Sequence, residues 1–231
     1  MKTKKLLVTA MFIALLAAPA VFGTSVSVIG SGGDGALAAT ADYSFTATTL
    51  TITLTNDLSA AVVRSAGQSL SDFEFTLSNG STITALTNIT GTAVDLTGSP
   101  SSGATVAPGT PVTVDEWSVL PTGGASFNLT SLNGGMPDYM IVGGTVGTTF
   151  YPIGNNGIGN FNSYLQQFGT FTISGIFAEG ATLSNITFSF GTGPDTILPP
   201  GVHTPDSGAT VALLGLAMIG LAAFRAKFQK T

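Results

Sequence analysis

Residues 49–55 read Thr-Leu-Thr-Ile-Thr-Leu-Thr, placing Leu50, Ile52 and Leu54 on every second position and threonine on all the others. Successive side chains of a β-strand point to opposite faces, so this run is a strand with one apolar and one wet face. The period recurs. Phe73, Phe75 and Leu77 alternate with Asp72, Glu74 and Thr76, and Ile186, Phe188 and Phe190 alternate with Asn185, Thr187 and Ser189. Further short strands are predicted at 81–85, 93–96, 110–114, 125–129, 139–142 and 169–174. Glycine- and proline-rich turns separate them, among them Pro121-Thr122-Gly123-Gly124 and Glu179-Gly180. Many short strands between such turns predict an all-β body, an antiparallel β-sandwich of two packed sheets. Its expected core is Leu50, Ile52, Leu54, Phe73, Phe75, Leu77, Phe127, Ile141, Phe171, Ile173, Ile186, Phe188 and Phe190. The one helical feature expected is a single turn at Ser163–Gln167.

Outside this body the chain changes character. Lys2, Lys4 and Lys5 precede an apolar stretch from Leu6 to Ala18 and then small residues, the three parts of a signal peptide over 1–23. Two cleavage points compete, after Ala20 and after Gly23. Gly30-Ser31-Gly32-Gly33-Asp34-Gly35 then marks 24–40 as a flexible segment before a sandwich domain at 41–192. A Pro/Gly-rich spacer covers 193–203. The tail, 204–231, runs from Thr204-Pro205-Asp206-Ser207-Gly208 through an apolar helix at 209–224 to Arg225, Lys227 and Lys230. Sixteen helical residues rise ~24 Å, just short of a ~30 Å hydrocarbon core, which snorkelling basic side chains extend. A cytoplasmic basic cluster puts everything before Thr204 outside the cytoplasm, the topology the signal peptide also gives.

The order Pro-Asp-Ser-Gly, apolar helix, basic cluster resembles the tripartite sorting tail of PEP-CTERM-type proteins, in the variant named for Val-Pro-Asp-Ser-Gly. Thr204 stands where that variant has valine; Pro205, Asp206, Ser207 and Gly208 fit. The resemblance implies processing by an exosortase-type transpeptidase after passage through the secretion translocon and signal peptidase. It further implies an inner-membrane-anchored precursor delivered to the envelope surface or extracellular matrix of a Gram-negative bacterium. The alternative is a plain membrane anchor that is never cut. Asp72-Phe73-Glu74-Phe75, Gly135-Met136-Pro137-Asp138-Tyr139 and Phe188-Ser189-Phe190-Gly191-Thr192 also resemble elements of uncharacterised PEP-CTERM proteins, which implies a sandwich and no particular activity.

Composition narrows the function further. Charged residues are 8% of the chain, and between Lys5 and Arg225 a single arginine, Arg64, faces all twelve carboxylates, a formal charge of −11 in which Asp206 of the tail is included. Such a body repels phosphate backbones, which excludes nucleic-acid binding. The absence of cysteine excludes disulfides and thiolate chemistry. The only histidine, His203, lies in the spacer, so a Ser-His-Asp arrangement in the body has no base. Asp206-Ser207-Gly208 occurs once, whereas aspartic peptidases need two such aspartates. Carboxylates that could pair for glycoside hydrolysis are Asp72, Glu74, Asp115, Glu116, Asp138 and Glu179. Asp72 and Glu74 share one face predicted to be exposed, where they keep a sheet from aggregating or hold calcium; Asp138 with loop carbonyls is a second calcium candidate. Trp117 and Tyr151, with Tyr139, are the candidate sugar-stacking aromatics, inward packing of Trp117 being equally open. Four Asn-x-Ser/Thr sequons, at Asn79, Asn88, Asn128 and Asn185, and the threonine-rich faces are candidate glycosylation points. The resulting expectation is a non-enzymatic coat or biofilm protein touching extracellular polysaccharide and needing no cofactor, with a carbohydrate-binding module or a glycoside hydrolase as alternatives.

Overall fold

A computed structural model describes residues 23–78, 80–99, 103–133, 136–193 and 196–199. In chain order its strands are β1 (Thr24–Gly32), β2 (Gly35–Phe45), β3 (Thr49–Asn56), β4 (Leu70–Leu77), β5 (Thr82–Val94), β6 (Leu96–Ser99), β7 (Gly103–Val106) and β8 (Thr110–Thr113). They continue with β9 (Ser118–Gly123), β10 (Ser126–Thr130), β11 (Ile141–Val142), β12 (Phe150–Tyr151), β13 (Tyr164–Ile176), β14 (Leu183–Phe190) and β15 (Thr196–Leu198). The fold is all-β, as the period-two runs require. The only helical pieces among the described residues are 3-10 turns at Ala66–Gln68 and Asn156–Phe161.

Twelve strands form one hydrogen-bonded network with two antiparallel arms. The first arm runs β1-β2-β3-β13-β5-β8, and the second runs β9-β10-β4-β14-β15. The two-residue β11 bridges them, parallel to β13 and antiparallel to β4 at Ile141↔Leu70. A separate three-stranded sheet, β12-β7-β6, completes the molecule.

The arms share one hydrophobic core. Leu50, Ile52 and Leu54 of β3 and Phe171 and Ile173 of β13 belong to the same contiguous cluster as Phe73 and Phe75 of β4 and Phe188 and Phe190 of β14. Rings interlock within it, Phe73 against Phe188 at 5.2 Å and Trp117 against Phe171 at 4.7 Å between centroids. Fully burying each of these side chains is worth about 1.5–3 kcal/mol. Every residue expected in the core is buried except Phe127, which is half-buried where the β9–β10 register shifts. A second bulge keeps the pattern working on β4. Ser189 opposes Asp72 and Phe190 opposes Leu70, so Ser71 is the extra residue and both Leu70 and Phe73 reach the core.

A second core lies under the three-stranded sheet and gathers Val94, Leu96, Ala104, Met140, Val142, Tyr151, Ile158 and Tyr164. Adjacent residues divide between the two cores. Ile141 and Leu165 enter the first, and Val142 and Tyr164 the second. The β11–β13 ladder is therefore buried on both faces, and the body is locally three layers deep.

Lateral edges are guarded. β8 carries Pro111, β9 carries Pro121, and β15 is followed by Pro199, each unable to donate to a neighbouring strand. The remaining edge of the twelve-stranded network, β1, lies against β15. A Cβ at Gly30 would stand 2.7 Å from Leu198 Cδ1, so the leucine side chain seats itself over that glycine.

Three sequence expectations change. The segment 24–40 is no flexible lead but the β1–β2 hairpin, because Val28, Leu37 and Ala39 supply an apolar face and Gly33-Asp34 a two-residue turn between Gly32 and Gly35. Residues 163–167 are the start of β13 rather than a helical turn; Tyr164 and Leu165 go to opposite cores, as strand geometry demands. The spacer at 193–203 is partly strand, since Thr196–Leu198 extends the second arm. Of the signal peptide only Gly23 is described, and Thr204–Gly208, the helix at 209–224, Arg225, Lys227 and Lys230 lie outside the described residues. Among the described residues no helix is long and apolar enough to cross a membrane.

Candidate functional site

The two aromatic side chains expected to stack on sugars are both inside the protein. Trp117 is 3% exposed; its Nε1 donates to the Tyr139 carbonyl at 2.9 Å and its ring lies on Phe171. Tyr151 is fully buried in the second core, where its hydroxyl donates to the Gly143 carbonyl at 2.5 Å. Gly144 (φ +93°) makes room for that hydroxyl, since a Cβ there would stand 2.9 Å from it. Burial pushes the Tyr151 phenol above its ordinary value. Neither ring offers a face to solvent, so no stacking platform forms from this pair. Tyr139, half-buried with φ 56°, packs at the rim of the first core.

The carboxylates divide differently from the sequence expectation. Asp72 and Glu74 do share the outward face of β4, but Asp72 is only 3% exposed and Glu74 is half-buried. The bulge at Ser71 draws the start of β4 in. Ser71 Oγ donates to the Ser189 carbonyl at 3.2 Å, and Ser131 donates to the Ser71 carbonyl through N–H at 2.9 Å and through Oγ at 3.1 Å. Asp72 is thereby set between Thr130 of β10 and Ser189 of β14, both buried. Desolvation raises its carboxyl above the usual range and the Glu74 charge adds to that; Thr130, Asn128 and Ser71 side chains offset part of it. Its Oδ1 nevertheless accepts no hydrogen bond from the protein, and neither does the buried Oδ1 of Asn128.

Asp115 and Glu116 are exposed in the segment between β8 and β9 rather than on a strand. The Glu116 carboxyl is raised, by desolvation first and then by the Asp115 and Asp138 charges. Asp138, half-buried, thus belongs electrostatically with these two, while Glu179 sits exposed in a distant turn. Among the described residues no three histidine, cysteine or carboxylate side chains converge as a metal site.

Two shallow depressions flank β8. One, of about 400 Å³, is lined by Thr90, Thr92, Pro111, Thr113 and the half-exposed Phe168. The other, about 230 Å³, includes Val106, Pro108, Thr148 and Gln166. Sequence reasoning did not single out Phe168, and it named Asn128 and Thr130 only as a glycosylation sequon. Asn128 and Thr130 carry the strand alternation of β10, and nothing in one sequence says that they oppose Glu74 and Asp72.

Residues 205–228 match the VPDSG-CTERM motif, a PEP-CTERM-like sorting tail that points to an exported, surface-destined protein handled by an exosortase-like processing system. No curated protein sequence matches the chain.

Proposed function

We propose that this chain is a bacterial envelope or matrix protein. In this reading it is exported by its signal peptide, held in the inner membrane by the 209–224 helix, and released to the cell surface when an exosortase-type transpeptidase acts at Pro205–Gly208. The observation that carries the proposal is the sorting tail at 205–228 following directly on an all-β body. The role is a non-enzymatic one in the coat or biofilm. Support comes from a surface of serine, threonine and asparagine with few charges, suited to many weak contacts with hydrated polymer, and from sheet edges guarded against self-pairing.

The test is the mature protein's own termini. Mass spectrometry of protein recovered from the envelope surface is expected to read an N-terminus after Ala20 or Gly23 and a C-terminus near Gly208. Replacing Pro205–Gly208 by alanine is expected to leave an uncut precursor in the inner membrane. Surface protein that keeps residues 209–231 would overturn the processing step.

A polysaccharide contact, as in a carbohydrate-binding module, moves in this reading from Trp117 and Tyr151 to the depression beside β8. There Phe168 gives an apolar floor and Thr90, Thr92 and Thr113 give hydroxyls. Binding to an acid-free glycan on an array that Phe168→Ala removes, with thermal stability kept, is the result this reading requires. Failure of the wild-type protein to bind any glycan leaves only the coat role.

A further inference from the structure

We propose that the outward face of β4 and β10 holds a calcium-class divalent cation, with Asp72, Glu74 and Asn128 as its side-chain ligands and Thr130 beside them. Register places these groups together. Asp72 stands directly opposite Thr130 and Glu74 directly opposite Asn128, all four on one face. Opposed residues have Cβ atoms ~5 Å apart and diagonal ones ~7–8 Å, within reach of a single ion for side chains of this length. On the other flank Ser189 opposes Asp72 and Thr187 opposes Glu74, so every neighbour in the block carries oxygen.

Two facing acceptors point to a ligand there: the Thr130, Asn128 and Ser71 side chains stand against the Asp72 carboxyl, yet one of its oxygens lacks a well-directed donor. Asp72 is 97% buried by virtue of its 3% exposure, yet its Oδ1 receives no donor from the protein. On the next strand Asn128 Oδ1 is also buried and also without a donor. A buried acceptor without a partner costs about 1–3 kcal/mol, more when charged. Among the described residues the one basic side chain, Arg64, is exposed, and its carbonyl accepts from Asn155 near the second core. Rotation of the Asn128 amide about its last torsion presents Oδ1 or Nδ2 to Asp72. With a cation in place Oδ1 is the atom it turns inward.

The donor chemistry sets the class. Only two carboxylates meet here and the other donors are neutral oxygens, with no imidazole or thiolate. That set suits a hard cation, and calcium more than magnesium, because calcium accepts irregular geometry and amide or hydroxyl oxygens while magnesium keeps its waters. Glu74 accepts from Thr122 Oγ1 of β9 at 3.3 Å, a bond it exchanges for the cation.

The experiment uses the full-length chain in detergent, stripped with chelator and returned to chelator-free buffer at neutral pH. Titration with calcium chloride alone is expected to raise the melting temperature by several degrees. Calorimetry is expected to give one tight site per chain, with a weaker response to magnesium and none to sodium at matched ionic strength. Asp72→Asn and Glu74→Gln should each abolish the tight site. Asp72→Asn is isosteric and removes a buried charge, so the variant should fold and melt no lower than stripped wild type. Equal calcium responses in wild type and Asp72→Asn would overturn the proposal, as screening of an acidic surface. So would a wild-type chain indifferent to calcium, as a buried acid that needs no ion.

Discussion

The first core is lined mostly by phenylalanine, leucine and isoleucine from long strands, whereas the second contains two buried tyrosines whose hydroxyls end on backbone carbonyls outside the strands. Tyr151 donates to Gly143, and Tyr164 donates to Ile158 at 2.7 Å. The first is held mainly by apolar area and the pleat, with one directed bond from Trp117 to the Tyr139 carbonyl; the second leans more on such bonds, to Gly143 after β11 and to the Asn156–Phe161 3-10 turn. The joint between them is polar. Asn56, buried at the end of β3, donates to the carbonyls of Gln68 at 2.8 Å and Ile141 at 2.9 Å and accepts from the Leu58 N–H at 3.2 Å. The contrast teaches that a single chain can use non-directional burial for its frame and directed bonds for an added layer.

The largest effect should come from the frame. Phe188→Asp puts an unpaired charge where a ring meets Phe73, and the combined loss exceeds the 5–15 kcal/mol that a domain of this kind has in hand. No cooperative thermal transition should remain, and a variant that still melts sharply would mean that the two arms do not share a core. Next comes the joint. Asn56→Leu strands two carbonyls and one N–H and should cost about 3 kcal/mol, read from the urea midpoint. An effect confined to hydrogen exchange in the second core would show that the cores open separately.

Alkali should probe the second core through its tyrosines. Burial raises the phenols of Tyr151 and Tyr164 above the ordinary value near 10, and that of Tyr43 at the rim of the first core is raised as well. Below pH ~9 all are protonated in folded and unfolded chains alike and contribute no slope. Above ~10 the unfolded chain loses its protons first, so stability falls with rising pH, by about 1.4 kcal/mol per pH unit for each tyrosine. Melting curves between pH 8 and 11 should be flat and then fall. The smallest change is Tyr151→Phe, which removes one bond to the Gly143 carbonyl and should cost about 1–2 kcal/mol. It should also flatten part of the alkaline loss, which ties the two measurements to the same core.

How much of this was legible follows from the same contrast. Leu50-x-Ile52-x-Leu54 and Phe73-x-Phe75-x-Leu77 announce a buried face by themselves, and the structure places each of those residues in the first core. The second core draws on Leu96, Ala104 and Ile158, in short strands and a 3-10 turn without a period, and on Tyr164 at the first position of β13. Sequence left Trp117 open to either direction and offered Tyr151 as a sugar-stacking ring. What buries them is the layer around them, Phe171 for one and the Gly143–Gly144 turn for the other. Asp72 was placed on a wet face by alternation alone, which is correct for the direction of its side chain. Its burial depends on the Ser71 bulge and on two flanking strands far away in sequence.

The guarded edges bear on life at high density. A chain accumulated in many copies in a thin layer meets its own kind constantly, and open strands would zip neighbouring bodies into fibres. Pro111, Pro121 and Pro199 interrupt that zipper at three borders, and Leu198 seated over Gly30 shields the fourth. In the coat role proposed above, crowded copies would then meet as discrete particles, with cohesion coming from the polymer between them.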